Sequence, residues 1–253
     1  MSVTIEGIGL HSGQPVKALL SPAPAGSGLT FLHHGKRLAA TIKNLKNTER
    51  GTSLLGIAVV EHFLSAAYGL GIYDLELTVE GDELPALDGS ALPWVEAIEK
   101  LELVKRRADG FVLFSPILIT DGDASLEALP YDGFKVDFMV NFAGIGEQRF
   151  VFDAEKMAYR SEIAPARTFG YLAEYEELKQ RQLALGASFD NSLVLGPGGY
   201  INQPRFADEL VRHKVLDLIG DLALLGRPLL AEIKAVRSGH KLNAELVRRV
   251  LNQ

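Results

Sequence analysis

The stretch DELVRHKVLDLIGDLALLG, residues 208–226, has the pattern of one long and largely buried helix. At about 100° per residue, its apolar residues form one stripe and also cover most of the remaining circumference. The stripe and the residues that widen it are Val211, Val215, Leu218 and Leu222, then Leu216, Ile219, Ala223 and Leu225. Three polar residues, His213, Asp217 and Asp221, nevertheless share one line because each lies four positions from the next. Gly226 is placed to end the helix.

This polar line has two interpretations, and the helix alone does not choose between them. A buried carboxylate is costly unless it is paired or bound to a metal, so His213 and Asp217 suit two metal ligands. The alternative is a hydrogen bond between them on a solvated face. Because the chain has no cysteine and only six histidines, a metal must take a third ligand from elsewhere, and His62 is the obvious candidate.

A second helix is predicted in AVVEHFLSAAYGLG, residues 58–71, where Glu61 stands next to His62 inside an apolar run. The plain interpretation is a helix edge with two solvated side chains. A metal with three protein ligands keeps a position for water and lowers the pKa of that water towards about 7. Glu61 would then be the base that takes the proton of the water, although the HExxH motif of many zinc enzymes is absent.

Around these helices, both halves of the chain repeat one order of elements. Each half has a strand, a turn rich in Pro or Gly and another strand, in residues 15–33 and 124–140. The histidine helix follows, then a strand (YDLELTVEG or LLAEIKAV), then a helix (ALPWVEAIEKL or NAELVRRVLN). We therefore predict an α+β protein of two similar domains, residues 1–107 and 108–253, joined near residues 105–110. The alternative is chance patterning.

Composition excludes several classes of protein. The chain of 253 residues is 47% hydrophobic and 23% charged, which is enough for a core without disulfides. A net charge of -6 without a long basic run argues against nucleic acid as a partner. We expect no transmembrane segment, since no apolar run approaches about 18 residues. We expect no signal peptide, since the N-terminus lacks a basic region followed by an apolar stretch. The lack of cysteine fits a reducing compartment.

Seven blocks, in order over nearly the whole chain, resemble the UDP-3-O-acyl-N-acetylglucosamine deacetylase family. The blocks are GIGLHSGQPV, NTERGTSL, VEHFLSA, ELPALDGSALPWVEAI, PARTFGYLAEYEELKQRQLALGASFDNSLV, DELVRHKVLDLIGDL and SGHKLNAELVRRVL. The resemblance implies a cytoplasmic zinc amidohydrolase that performs the committed step of lipid A biosynthesis on an acylated UDP-sugar. It also implies two domains of like fold, each a small, mainly antiparallel sheet packed on helices. The helices of the two domains would face each other across the active site. We expect a monomer.

The resemblance implies a role for each matching residue. The metal ligands would be His62, His213 and Asp217, with zinc as the default and iron(II) as a tolerated alternative. The catalytic groups would be Glu61 as general base, His240 as catalytic histidine, Asp221 as its support and Thr168 facing the oxyanion. Lys214 would also belong to this catalytic set. The substrate contacts would be Lys214 and Phe169.

The resemblance further implies a hydrophobic passage for the acyl chain, built by an insert between Phe169 and Leu195. Residues 171–186 are predicted to form its helix, which Gly186 would end. The chain is shorter than typical members and has little room for a hairpin before VEH. It also reads Asn-Phe-Ala-Gly at 141–144 where the family commonly has Asp-His-Pro. The acyl-chain length and the exact substrate therefore stay open.

Two other classes of function stay under consideration. One is an amidohydrolase of the same family that acts on another N-acetyl sugar. The other is a non-catalytic module that binds a sugar nucleotide or lipid, which predicts loss of the chemical groups, and none has been lost. The pair His33 and His34 resembles a metal pair only by adjacency. Both are predicted to lie on the surface, because adjacent residues of a strand point to opposite faces.

Overall fold

The structure is a computed structural model that describes residues 1–103 and 109–253. The described residues form an α+β protein with two larger mixed sheets and two smaller sheets. The strands are β1 (Val3–Ile8), β2 (Pro15–Pro22), β3 (Leu29–His33), β4 (Lys36–Ala39), β5 (Leu45–Asn47), β6 (Ser53–Leu54), β7 (Leu75–Glu80), β8 (Phe111–Val112), β9 (Ile117–Asp121), β10 (Ala124–Pro130), β11 (Phe134–Phe142), β12 (Gly146–Asp153), β13 (Phe169–Tyr171), β14 (Leu193–Gly196), β15 (Gly199–Tyr200) and β16 (Leu229–Val236). The helices are α1 (Glu61–Gly69), α2 (Leu92–Glu99), α3 (Tyr159–Glu162), α4 (Tyr175–Gln180), α5 (Glu209–Leu222) and α6 (His240–Leu251), with 3-10 turns at Ile42–Asn44, Leu172–Glu174 and Ala223–Leu225.

The two large sheets have the same strand order. One runs β1-β2-β7-β3-β4, and the other runs β9-β10-β16-β11-β12 with the short β8 beside β16. In each, the strand after the histidine helix is antiparallel to one neighbour and parallel to the other. The predicted strand pairs are present, but they do not pair with each other, because β7 or β16 lies between them. The predicted boundary between residues 107 and 108 lies outside the described residues.

The two histidine helices, α1 and α5, pack directly against each other. The Ser65 hydroxyl of α1 donates a hydrogen bond to the Leu216 carbonyl of α5 over 2.8 Å. Gly220 is required at the crossing, since a Cβ there would clash with the main-chain carbonyl of Glu61. This close approach brings the first turn of α1, with Glu61 and His62, against the polar line of α5.

The apolar stripe of α5 forms part of the core, as its pattern predicted. Val211, Val215, Leu218 and Leu222 are each 0% exposed. Full burial of each such side chain contributes about 1.5–3 kcal/mol to folding, which offsets the burial of the polar line on the same helix. The predicted end of the helix is confirmed, because Gly226 follows the terminal 3-10 turn with a φ of 78°.

The predicted helix over residues 171–186 is wrong in length, because α4 covers only Tyr175–Gln180. Gln182 and Ala184 have positive φ values of 57° and 55°, which no α-helix tolerates. The backbone then turns towards the N-terminal half, where Gly186 N–H donates to the Leu10 carbonyl over 3.0 Å. Gly186 does not end a helix. It permits a close approach, since a Cβ there would clash with the Gly9 carbonyl.

No helix in residues 1–103 or 109–253 is long and apolar enough to cross a bilayer.

Candidate active site

Three side chains from α1 and α5 meet as a candidate metal centre. One ligating atom from each of His62, His213 and Asp217 lies within 4.8 Å of the others. His213 Nε2 is 3.3 Å from Asp217 Oδ1, and the rings of His62 and His213 meet edge to face with centroids 5.1 Å apart. None of the three is more than 5% exposed. The structure therefore brings together the three residues that the sequence proposed as ligands.

The charge states of these groups suit a divalent cation. Burial, together with the neighbouring His213, lowers the pKa of His62 to about 3, and burial also lowers the pKa of His213. Burial alone would raise the pKa of Asp217, but nearby Lys214 and His213 outweigh it and hold that pKa well below its usual range. Two neutral imidazoles and one carboxylate are what such an ion requires.

The tautomer of His213 also fits this role. Its Nδ1 lies 3.0 Å from the main-chain carbonyl of Ala166, a position that favours a proton on Nδ1 and leaves Nε2 with a free lone pair. Because the ring is held on its far side, Nε2 stays aimed at Asp217. The donor set, two nitrogens and one oxygen, is one that zinc and iron(II) both accept.

Glu61 stands next to this cluster as a buried carboxylate that titrates near neutrality. It is 4% exposed, and its Oε2 accepts a hydrogen bond from the main-chain N–H of Thr52 over 2.9 Å. Burial raises the pKa of Glu61 to about 7, because the charged form loses solvation. A carboxylate with this pKa can both take up and release a proton near pH 7.

His240, the first residue of α6, is held in its charged form, whereas burial favours the neutral form of Glu61. Its Nδ1 is 2.8 Å from Asp221 Oδ2 and its Nε2 is 4.0 Å from Asp217 Oδ2. Burial alone would lower the pKa of His240, but the attraction of Asp221 outweighs it and raises the pKa to about 9. His240 is therefore an imidazolium at neutral pH, with Nδ1 occupied by Asp221 and Nε2 free to donate.

Two residues that sequence reasoning missed hold Asp221 in place. Asn243 Nδ2 donates to Asp221 Oδ2 over 2.8 Å, and the Thr52 hydroxyl donates to the other oxygen, Oδ1. Thr52 also contacts His240 Nδ1 at 3.3 Å and Glu61 through its N–H, so one residue touches both titrating groups. Asn243 follows His240 by three positions at the start of a helix. This spacing places the two side chains next to each other and could have indicated that Asn243 belongs to the site. Thr52 carried none beyond its place in the NTERGTSL block.

A cavity of about 650 Å³ opens over this cluster. Its wall includes the candidate residues Glu61, His62, Thr168, Phe169, His213, Lys214, Asp217 and His240. Asp221 is not part of that wall and supports His240 from behind. The rest of the wall is largely apolar and comes mainly from the insert, with Tyr171, Leu172, Tyr175, Leu178, Phe189 and Val194.

The two predicted substrate contacts lie at the border between the polar and apolar parts of the cavity. Lys214 Nζ donates to Asp217 Oδ2 over 2.7 Å and stands 5.7 Å from the centre of the Phe169 ring. Phe169 packs edge to face on Phe142, with centroids 5.3 Å apart. Phe142 lies in the 141–144 segment, so this segment supports the cavity wall.

The prediction that His33 and His34 point to opposite faces is wrong. β3 ends at His33, and His34 has a φ of 46°, so strand alternation no longer applies between them. Both rings turn to the same aspartate: His33 Nε2 and His34 Nε2 lie 3.2 and 3.3 Å from Asp82 Oδ1. His33 is also buried, at 5% exposure.

A buried cluster of two histidines and a carboxylate, with a second carboxylate of raised pKa beside it, suits a metal-dependent hydrolase. Comparison with known sequences then identifies the protein family. The chain belongs to the UDP-3-O-acyl N-acetylglycosamine deacetylase (LpxC) family, whose model matches residues 1–252. This match confirms the resemblance seen in the sequence blocks. The family consists of metalloenzymes of lipid A biosynthesis.

Individual relatives match over most of their length. A protein of Anaeromyxobacter sp. (strain Fw109-5) is 41% identical over 261 residues, which cover 98% of this chain and 86% of the relative. A protein of Thermosynechococcus vestitus is 39% identical over 98% of this chain and 90% of its own, and one of Geobacter sp. (strain M21) is 37% identical over 99% and 87%. All three carry the name UDP-3-O-acyl-N-acetylglucosamine deacetylase.

Proposed function

We propose that this chain removes the acetyl group from UDP-3-O-acyl-N-acetylglucosamine in lipid A biosynthesis, with a zinc ion on His62, His213 and Asp217. The observation that carries the proposal is that the three buried side chains of the cluster, the Glu61 carboxylate and the His240 imidazole all line one cavity. Family membership supports the substrate, and the donor set supports zinc, with iron(II) as the alternative.

The proposed chemistry divides the proton transfers between two residues. A zinc ion on the three ligands would supply a Lewis acid and lower the pKa of a water molecule towards about 7. Glu61 takes the proton of the attacking water at a carboxylate oxygen, while the oxygen of the water bonds to the acetyl carbon. His240 donates a proton from Nε2 to the leaving nitrogen as the C–N bond breaks. Thr168 donates a hydrogen bond to the developing oxyanion.

The apolar part of the cavity is proposed to hold the acyl chain. The wall that the insert contributes is aromatic and aliphatic, and Phe169 and Lys214 stand where it meets the polar cluster. Burial of each methylene of the acyl chain would contribute about 0.8 kcal/mol. Shortening the chain by several methylenes should therefore raise KM strongly.

We also propose that residues 1–107 and 108–253 are two domains of like fold whose helices face each other. The shared strand order and the packing of α1 on α5 support this division. The proposed enzyme is a cytoplasmic monomer, and all the groups named above lie on one chain.

The test compares acetate release from UDP-3-O-acyl-N-acetylglucosamine with release from the same sugar without its acyl chain. The proposal expects a much larger kcat/KM for the acylated sugar. Equal values for both would favour an amidohydrolase of another N-acetyl sugar. Binding without turnover by the zinc-loaded protein would favour a non-catalytic module.

A further inference from the structure

A second cluster of two histidines and one aspartate lies away from the cavity, at an edge of the first large sheet. β3 and β7 are parallel neighbours, with His33 in register with Val79. Their carboxyl ends therefore meet at the same edge, and the residues that follow them, His34 and Asp82, come side by side. One ligating atom from each of His33, His34 and Asp82 lies within 4.8 Å of the others.

The distances in this cluster fit the ligand spacing of a metal ion, and the 3.3 Å contact of His34 Nε2 with Asp82 is also within hydrogen-bond reach. For tetrahedral coordination with bonds of about 2.0–2.1 Å, neighbouring ligand atoms stand about 3.3 Å apart. The two Nε2 atoms lie 3.2 and 3.3 Å from Asp82 Oδ1, close to the 3.3 Å between His213 Nε2 and Asp217 Oδ1. Ordinary N–H···O hydrogen bonds cluster near about 2.9–3.0 Å.

The backbone on both sides of the cluster is held in place without an ion. Asp82 accepts a hydrogen bond at its main-chain carbonyl from Ala58 N–H over 2.9 Å. The His33 ring is buried and turns its Nδ1 edge towards Gly56, so that Nε2 faces the Gly81–Asp82 segment. The left-handed conformation of His34 sets its ring 4.0 Å from that of His33.

The open side of the cluster gives an ion access from solvent. The side chains of His34 and Asp82 are 74% and 80% exposed, whereas that of His33 is 5% exposed. Water can therefore complete the coordination of an ion that the three side chains hold. One contact competes with it: His33 Nε2 lies 3.0 Å from the Gly81 carbonyl, so the His33 proton must reside on Nδ1 when Nε2 is a ligand.

We propose that His33, His34 and Asp82 bind one divalent transition-metal ion of the zinc class. Two imidazole nitrogens favour zinc, nickel or copper over magnesium or calcium, which prefer all-oxygen sites. The site goes beyond the proposed deacetylation and does not depend on it. The ion ties the turn after β3 to the segment after β7, and that segment pairs with the residues just before α1 through the Ala58–Glu83 bridge.

The experiment titrates Zn²⁺ into the full-length protein that already holds one equivalent of metal, and calorimetry counts the additional equivalents. His34→Asn removes the imidazole but keeps a residue that suits positive φ, and Asp82→Asn removes the carboxylate without changing its size. Glu80→Gln, at the exposed end of β7, is the control for loss of one nearby negative charge.

The wild type and Glu80→Gln should bind one further zinc ion. Both ligand variants should bind it at least about tenfold more weakly, since even outer partners of a metal site are worth that much. Zinc should also raise the Tm of the wild type more than that of either variant, because it binds only the folded cluster. The proposal is overturned if the wild type takes up no second ion, or if both variants bind it as tightly as the wild type. Acetate release plays no part in this readout. A protein that does not release acetate could therefore still bind the second ion and support this proposal.

Discussion

The two clusters of histidines and aspartate share a His–Asp spacing but differ in their surroundings. His213 and Asp217 are buried between two helices, whereas His34 and Asp82 stand in exposed turns. Around the buried cluster, loss of solvation raises the pKa of Glu61 to about 7, and Asp221 raises the pKa of the neighbouring His240 to about 9. Ligand geometry alone therefore suits both clusters to an ion, while chemistry additionally needs buried groups in opposite protonation states.

The largest effect is expected where the buried cluster loses a ligand. His213→Ala should remove most of the bound metal and nearly all of the activity, because two remaining ligands do not hold a zinc ion well. Metal content by mass spectrometry and acetate release measure the two losses. His34→Ala, which leaves the buried cluster intact, is the matched control for activity. Stoichiometric metal in a His62/His213 double variant, with the surface site also removed, would show that the buried cluster is not the metal centre.

Loss of the proposed base should leave the metal and remove the chemistry. Glu61→Ala is expected to lower kcat by about two decades or more, the usual size of a general-base contribution, at unchanged zinc content. Glu80→Gln controls for the lost charge. A kcat within a factor of a few of the wild type would assign the base elsewhere.

The pH profile tests His240 and its partner. Because His240 is proposed to act as the imidazolium, activity should be present below its pKa of about 9 and should fall as the pH rises through that value. Asp221→Asn removes the attraction that raises this pKa, so the alkaline limb should move to lower pH.

His240→Ala should lower kcat by about two decades or more while zinc stays bound. Near-normal kcat with an unmoved alkaline limb would exclude His240 as the acid and leave both transfers to Glu61.

A smaller effect is expected at Thr52, which positions the titrating groups without being one. Thr52→Val leaves a buried oxygen of Asp221 without its donor, which should lower the free energy of unfolding by roughly 1–3 kcal/mol. The kcat of Thr52→Val should fall while its KM changes little. Thr52→Ser should restore both kcat and the free energy of unfolding because it keeps the hydroxyl. If serine and valine behave alike, the hydroxyl has no part in positioning Asp221.

The smallest effect is expected at the exposed cluster. The protein is measured with one equivalent of metal at the buried cluster and no metal added to the buffer. Under these conditions His34→Asn should change the free energy of unfolding by no more than about 0.5 kcal/mol, the usual range for surface substitutions. Its kcat should match the wild type. A loss of activity comparable with that of Glu61→Ala would mean that the exposed cluster takes part in the chemistry, and the contrast between the two clusters would no longer hold.

Sequence periodicity was sufficient for the elements that local geometry specifies. The spacing of His213, Asp217 and Asp221 is enough to put them on one line of a helix, because residues four apart on a helix are neighbours whatever the rest of the chain does. The order of strands and helices in each half was predicted for the same reason. The residues alone already proposed His62 as a ligand and Glu61 as the base. The motif blocks added the family, and with it the role of His240.

Only the tertiary structure decided the features that depend on distant partners. Strand alternation placed His33 and His34 on opposite faces, but a left-handed residue at the strand end and the parallel pairing of β3 with β7 set them both on Asp82. Residues 171–186 have a helical pattern, but part of their backbone bonds instead to Leu10 and His11. Thr52 is 169 positions from Asp221 and yet donates to it. A periodic pattern specifies which side chains share a face, whereas the partner that face meets depends on long-range packing that no local pattern encodes.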